Sequence, residues 1–210
     1  MKLTIFGATG RKGTQLVKKA LSDGYQVTAY VRNPSKLTIQ DSSLKVVQGE
    51  INDTETIASA IAGSDAVLSG LGAVRGGPSE IMAPAASSII AGMNKENVKR
   101  LIWATGAGVP AEGDQPAFIN KLIGFLLKLT AGKVLEDSLA GVELIKTSGL
   151  DWVIAREPML TDDPGNGHYR TGLVNAGMGR TLSRENFAAA MLAQIESDAW
   201  LRRMPVFSDM

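Results

Sequence analysis

The sequence predicts an α/β fold: a doubly wound parallel sheet with helices on both faces, in three αβα layers. Three observations carry that expectation. Short β-branched runs alternate with longer helical patterns along all 210 residues, and such alternation builds a parallel sheet covered on both sides. Glycine-rich stretches at 70–77, 106–113 and 163–167 each follow a predicted strand, where loops held by a rigid sheet carry function. No repeat, low-complexity tract or linker divides the chain, so one domain over residues 1–210 is expected.

Each element has its own signal. Strands are predicted at 3–6, 26–31, 44–48, 66–69, 100–104 and 151–155. They are short apolar or β-branched runs bounded by turn residues. Helical patterns fill the intervals at 14–21, 54–61, 79–94 and 116–147, and a last helix covers 184–196. Asp53 and Ser183 stand where N-caps belong. Right-handed crossovers then give the strand order 3-2-1-4-5-6. Its ligand crevice lies where the winding reverses, at the carboxyl ends of strands one and four.

The first strand runs directly into Gly7-Ala-Thr9-Gly10-Arg11-Lys12-Gly13, and a helix follows at once. That order is what a dinucleotide-binding turn requires. The first glycine permits a tight turn, the second lets backbone approach a pyrophosphate, and the third lets the helix pack closely on the strand. The helix N-terminus supplies unpaired N–H groups and a positive dipole end. An NAD(P)-binding Rossmann domain is therefore expected, with Gly7, Thr9, Gly10, Arg11, Lys12 and Gly13 as cofactor-binding candidates.

Further candidates lie at the ends of the later strands. Arg32 follows Gly13 at the distance where an NAD site carries an acidic residue for the ribose. An arginine there suits a 2′-phosphate, so the expected cofactor is NADP(H). Glu50 and Ile51, after strand three, are adenine-site candidates. Gly70, Leu71 and Gly72 let backbone lie against the pyrophosphate and ribose. Thr105 is placed near the nicotinamide and is the catalytic candidate. Pro158 is placed by the carboxamide, with Met159 and Leu160 in the substrate pocket. That pocket is expected from segments 73–82, 106–130 and 157–175.

Other residues set limits. The three tyrosines, Tyr25, Tyr30 and Tyr169, are followed four positions on by Ala29, Pro34 and Leu173. The Tyr–Lys pair used for hydroxyl proton transfer on this fold is thus missing from the sequence. Its absence argues against alcohol oxidation and sugar epimerisation. Hydride transfer to a flavin, quinone or conjugated tetrapyrrole needs no such pair, because the protein chiefly positions donor and acceptor. Cysteine is absent, which removes disulfides and thiolate chemistry. The single His168, without a second histidine, argues for no metal site. A net charge of +1 gives no field to draw nucleic acid or a membrane surface. The N-terminal apolar run is too short for a secretory leader, so a cytoplasmic protein is expected. The apolar stretch 118–129 reads as a core or dimer-interface helix, or as a flap over the substrate; a monomer or a homodimer is expected.

With these motifs in place, the chain resembles the atypical short-chain dehydrogenase/reductase family, nearest to its biliverdin reductase B (flavin reductase) group. The resemblance rests on Gly7-Ala-Thr-Gly10-Arg-Lys-Gly13, Val31-Arg32-Asn33-Pro34 and Val47-Gln-Gly49-Glu50. It continues through Ala62-Gly-Ser-Asp65-Ala-Val67, Gly70-Leu-Gly72, Thr147-Ser-Gly149-Leu-Asp151-Trp152 and Ala155-Arg-Glu-Pro158. It implies NADPH binding and reduction of a small planar acceptor, with FMN, FAD or riboflavin as substrate rather than bound cofactor. The chain departs from the group at Gly106, where a serine follows the threonine, and at Glu157, where a proline is common. The alternative reading is a non-catalytic NADP(H)-binding redox sensor similar to NmrA-like regulators.

Overall fold

The computed structural model describes residues 1–72, 80–115, 118–175 and 177–210, with the side chains of 118–131 outside that description. Five strands open the sheet: β1 (Lys2–Phe6), β2 (Gln26–Val31), β3 (Leu44–Gln48), β4 (Ala66–Ser69) and β5 (Arg100–Gly106). β6 (Asp151–Glu157), β7 (Met159–Thr161), β8 (Tyr169–Gly172), β9 (Thr181–Ser183) and β10 (Val206–Asp209) follow. The helices are α1 (Arg11–Ser22), α2 (Thr54–Ile61), α3 (Met82–Lys95), α4 (Phe118–Thr147) and α5 (Arg184–Leu192). The main sheet runs β3-β2-β1-β4-β5-β6-β10-β8. Its first six strands follow the expected order, and the winding reverses between β1 and β4.

The sheet is wider than the sequence reading allowed. β10 adds in parallel to β6, and β8 pairs antiparallel with β10 at the edge. β7 and β9 form a separate two-stranded parallel ribbon. These strands have three or four residues each, too few for a period-2 pattern to show.

Alternating strand residues build two cores. Leu3, Ile5, Val27, Ala29 and Leu68 pack on α1 and α5, with Leu16, Val17 and Phe187 opposite. Phe6, Tyr30, Val67, Leu101 and Trp103 pack on α2 and α3, with Ile57, Ile61 and Ile89 opposite. Each fully buried side chain of this size contributes about 1.5–3 kcal/mol. Thr4, buried on the second face, donates its hydroxyl to the Ala60 carbonyl at 2.8 Å.

Local chemistry sets the helix ends. α1 starts three residues earlier than predicted, because Gly10 closes on the Gly7 carbonyl (3.0 Å) and accepts from Thr14 N–H (2.8 Å). Gly13 is therefore inside the first turn. α1 stops in a Schellman motif: Gly24 takes φ +83°, and Gly24 and Tyr25 donate to the Leu21 and Ala20 carbonyls. Asp53 caps α2 through Thr56 N–H, and Ser183 caps α5 through Asn186 N–H. α5 ends at Leu192 rather than 196. Arg100 takes the Ile195 and Ser197 carbonyls, drawing that segment off the helical path.

Candidate functional site

Three glycines meet at the reversal point. Gly7 has φ +77°, and a Cβ on it would lie 2.8 Å from the Gly70 carbonyl carbon and from the Leu71 nitrogen. A Cβ on Gly13 would come within 2.0 Å of the Gly7 carbonyl oxygen. A Cβ on Gly70 would sit 3.3 Å from the Gly13 Cα. Each backbone thus occupies the space another's side chain would need. The result is a side-chain-free cradle between the ends of β1 and β4 and the start of α1.

α1 presents its N-terminus to this cradle. Its cap residue Gly10 offers no side chain to the first-turn N–H groups, and the first turn holds no acidic residue. Those donors and the dipole end make an anion site. A dinucleotide pyrophosphate fits it, because side chains are excluded where phosphates must approach.

The cations around the cradle divide into paired and unpaired. Lys12 Nζ lies 2.7 Å from Glu157 Oε1, and both side chains are largely buried. Lys12 also passes beside Gly72, where a Cβ would meet Nζ at 3.3 Å. Its charge is spent inside the protein rather than held out to a phosphate. Arg11 reaches Asp162 at 3.4 Å, and that same carboxylate binds the largely buried Arg184 at 2.5 Å. Arg32 is exposed at the end of β2. Among the described residues it makes no ion pair. Beside it, Asn33 caps a short 3-10 turn (Pro34–Lys36) by accepting from Ser35 N–H at 3.0 Å.

The loop after β3 is pinned by a residue that the sequence reading did not place among the site candidates. Tyr30 donates its hydroxyl to the Glu50 carbonyl at 2.8 Å. A Cβ on Gly49 would meet that hydroxyl at 2.1 Å, so only glycine fits beneath it. Burial, with the charges of Asp53 and Glu50 adding to it, pushes the Tyr30 hydroxyl up to about 12. Glu50 is exposed, and Ile51 is half-buried against the α2 core. The available signal was a tyrosine on β2 facing a glycine at the end of β3.

At the other half, β5 and β6 end in register, with Thr105 opposite Arg156 and Gly106 opposite Glu157. Successive residues point to opposite faces. Thr105, 3% exposed, therefore sits on the α3 side of the sheet, and Glu157 on the α1 side. Ala107 N–H donates to the Glu157 carbonyl at 2.7 Å. Pro158 and Leu160 are half-buried, and Met159 is exposed.

Arg156, in the sequence only one letter of the Ala155–Pro158 motif, organises this end. It is fully buried, and its two terminal nitrogens grip Asp114 at 2.6 and 2.8 Å. Its Nε donates to the Met204 carbonyl at 2.8 Å. Asp114 also accepts from Ala111 and Val174 N–H groups. Burial opposes the charge of Asp114, but the hydrogen bonds from Arg156, Ala111 and Val174 and the guanidinium charge outweigh it and hold the carboxyl below its usual range.

Asp137 lends its carboxylate to α3, accepting from the Ile81, Met82 and Ala83 N–H groups at 2.7–3.1 Å. His168 is exposed, and its carbonyl accepts from Asn186. Tyr169 packs edge-on against Phe207. Two shallow cavities, of about 360 and 450 Å³, open among Lys2, Gln26 and Asp65 and beside Ser43 and Lys45. Both lie at the amino ends of the strands, opposite the cradle, and neither belongs to the site. Of the expected substrate pocket, residues 73–79 and 116–117 and the side chains of 118–131 lie outside the described residues. Among the described residues there is no cluster of three metal-ligating side chains, and no helix is long and apolar enough to cross a membrane.

A family model described as NAD(P)H-binding matches residues 7–198. The chain is 27% identical to protein YwnB of Bacillus subtilis (strain 168), over 93% of this chain and 92% of that one. Among solved structures it is similar to a short-chain dehydrogenase/reductase from Veillonella parvula in complex with NADP. That match has a TM-score of 0.78 at 19% identity, over 99% of this chain and 94% of that one. It is also similar to ChuY, described as an anaerobillin reductase, from Escherichia coli O157:H7. There the TM-score is 0.80 at 19% identity, over 100% of this chain and 97% of that one.

Proposed function

The chain belongs to the NAD(P)H-binding family, and from that premise we propose that it is an NADPH-dependent reductase of a flavin, quinone or similar conjugated acceptor. The observation that carries the choice of NADPH is Arg32. It is the exposed cation at the end of β2, with no carboxylate partner among the described residues. A guanidinium there forms charge-assisted bonds to a 2′-phosphate, which an acidic residue would repel.

The protein's own contribution is binding and orientation. Gly7, Gly10, Gly13 and Gly70 keep side chains out of the pyrophosphate path. The first-turn N–H groups of α1 take the phosphate charge. Gly72 and Leu71 lie along the ribose, with Thr9 and Arg11 at the rim. The backbone at Glu50 and Ile51, fixed by Tyr30, borders the adenine. Thr105 and Pro158 border the nicotinamide, which supplies the hydride when the reduced cofactor is bound. Thr105 is the one hydroxyl assigned to that end; no Tyr–Lys pair stands in the sequence to move a substrate proton. The chemistry this favours is hydride delivery to an acceptor that takes its proton from water.

Steady-state NADPH oxidation against a panel of flavins and quinones tests the proposal. Turnover with at least one conjugated acceptor, and preference for NADPH over NADH, is the expected result. Tight NADP binding with no turnover on any acceptor overturns it and leaves the redox-sensor reading.

A further inference from the structure

Taking the N-terminus of α1 as the phosphate end of the NADPH site, we propose that Asp162 is a positioning residue that competes with a dinucleotide phosphate for Arg11 and so lowers cofactor affinity. Two ion pairs bring the segment after β6 alongside the first residues of α1: Lys12 meets Glu157, and Arg11 meets Asp162. They differ in kind. The Lys12–Glu157 pair is close, at 2.7 Å, and both side chains are largely buried. The Arg11–Asp162 contact is 3.4 Å, between side chains 76% and 70% exposed. That distance is long for a hydrogen bond, and an exposed pair adds little stability.

The two partners are not equally free. Asp162 Oδ1 accepts from Arg184 at 2.5 Å, and the Arg184 side chain is only 9% exposed. The chain beyond Asp162 is fastened to the same end of α5, with Gly165 N–H donating to Glu185 and Gly167 N–H to Asn186. The carboxylate is thus held from behind. Arg11 makes no other side-chain hydrogen bond among the described residues, so the guanidinium is the part that moves. A helical Cα–Cβ bond tilts toward the N-terminus. Arg11, the first residue of α1, therefore leans toward the end where anions bind. A swing of this one side chain exchanges a carboxylate for a phosphate. The gain from the new charge-assisted bonds is reduced by the Asp162 contact that breaks. An ordinary site residue strengthens binding; Asp162 weakens it.

Titration of the full chain with NADP and NAD tests that sign, at about 0.15 M salt, where exposed charges more than about 8 Å apart are largely screened. Asp162→Asn keeps an acceptor oxygen for Arg184 and removes the charge that holds Arg11. It is expected to bind NADP roughly two- to fivefold tighter, the range an exposed ion pair spans, while its urea midpoint holds or falls. A purely structural role moves affinity and midpoint down together. Arg11→Ala is expected to bind NADP more weakly than the wild type, and adding Asp162→Asn to it should leave affinity unchanged. Tightening of NADP and NAD alike identifies the pyrophosphate as the competing anion; tightening of NADP alone identifies the 2′-phosphate.

No tightening in Asp162→Asn overturns the proposal. So does equal tightening with Arg11 already removed, the result expected of plain charge repulsion. Arg11→Ala, at an exposed position, is the second check: unchanged or tighter NADP binding there overturns the proposal whatever the Asp162 variant does. Failure of the wild type to bind either dinucleotide overturns the NADPH reading beneath it instead.

Discussion

Arg32 differs from the other two cations of the crevice in what already holds it. Lys12 is committed to Glu157 and Arg11 to Asp162, whereas Arg32 has no ion-pair partner among the described residues. Arg32→Glu is expected to weaken NADPH binding about ten- to a hundredfold, the loss of a charge-assisted bond worth about 1.5–3 kcal/mol, and to narrow or reverse the preference over NADH. Paired fluorescence titrations with the two cofactors measure it, and an unchanged ratio refutes the assignment. Gly13 makes a different argument. Alanine in a helix is ordinarily better than glycine by about 1 kcal/mol. Here its Cβ would stand 2.0 Å from the Gly7 oxygen, and overpacking of that kind costs about 1–3 kcal/mol. Gly13→Ala should therefore lower the urea midpoint and abolish cofactor binding together. A stabilised variant that still binds NADPH refutes the close packing of Gly13 on Gly7.

At the scale of elements, α3 is begun by a residue from another helix. Its own N-cap position, Ile81, has no side-chain acceptor, and Asp137 of α4 supplies the missing carboxylate to three N–H groups. Asp137→Ala leaves those donors unmet and should cost about 2–3 kcal/mol. Asp137→Asn keeps one acceptor oxygen and should cost less. Chemical denaturation of both variants checks the order. The predicted start of this helix, at 79, rested on periodicity alone and lies outside the described residues. α2 was legible to its end residues because its cap, Asp53, is adjacent in sequence. The cap of α3 was not legible because it arrives from 55 residues away.

At the scale of the molecule, the Arg156–Asp114 pair joins β6, the loop after β5, the segment following β8 at Val174, and the chain entering β10 at Met204. Asp114→Asn would strand a fully buried guanidinium and should cost about 3–5 kcal/mol. The pH dependence has a fixed sign. The folded carboxyl of Asp114 titrates below its unfolded value, which is about 3.9. Its stabilisation is thus complete well above pH 4 and is lost as pH falls through the unfolded and then the lower folded value. Urea midpoints measured from pH 6 to pH 3 should fall in the wild type, and the part of that slope owed to Asp114 should vanish in Asp114→Asn. Tyr30 works at the opposite limit. Its raised value puts the loss of its contribution between about pH 10 and about pH 12, and Tyr30→Phe should remove it.

The sequence by itself determined the parallel sheet, its strand order through β6, and the glycine cradle with Arg32 beside it. These are local matters: a strand, a turn and a helix start lie within a few residues of one another, so their chemistry is written in adjacent letters. Only the tertiary structure decided that Lys12 is tied to Glu157, that Tyr30 pins the loop at Glu50, that Asp114 clamps Arg156, and that β8 and β10 widen the sheet. Each of these joins residues 20 to 145 positions apart, and which distant side chains meet is fixed by packing rather than by spacing. The glycine turn is thus the place in the sequence from which dinucleotide binding is expected. The pairing of Lys12 with Glu157, which no spacing rule foretells, joins two opposite charges 145 positions apart between the ends of β4 and β6.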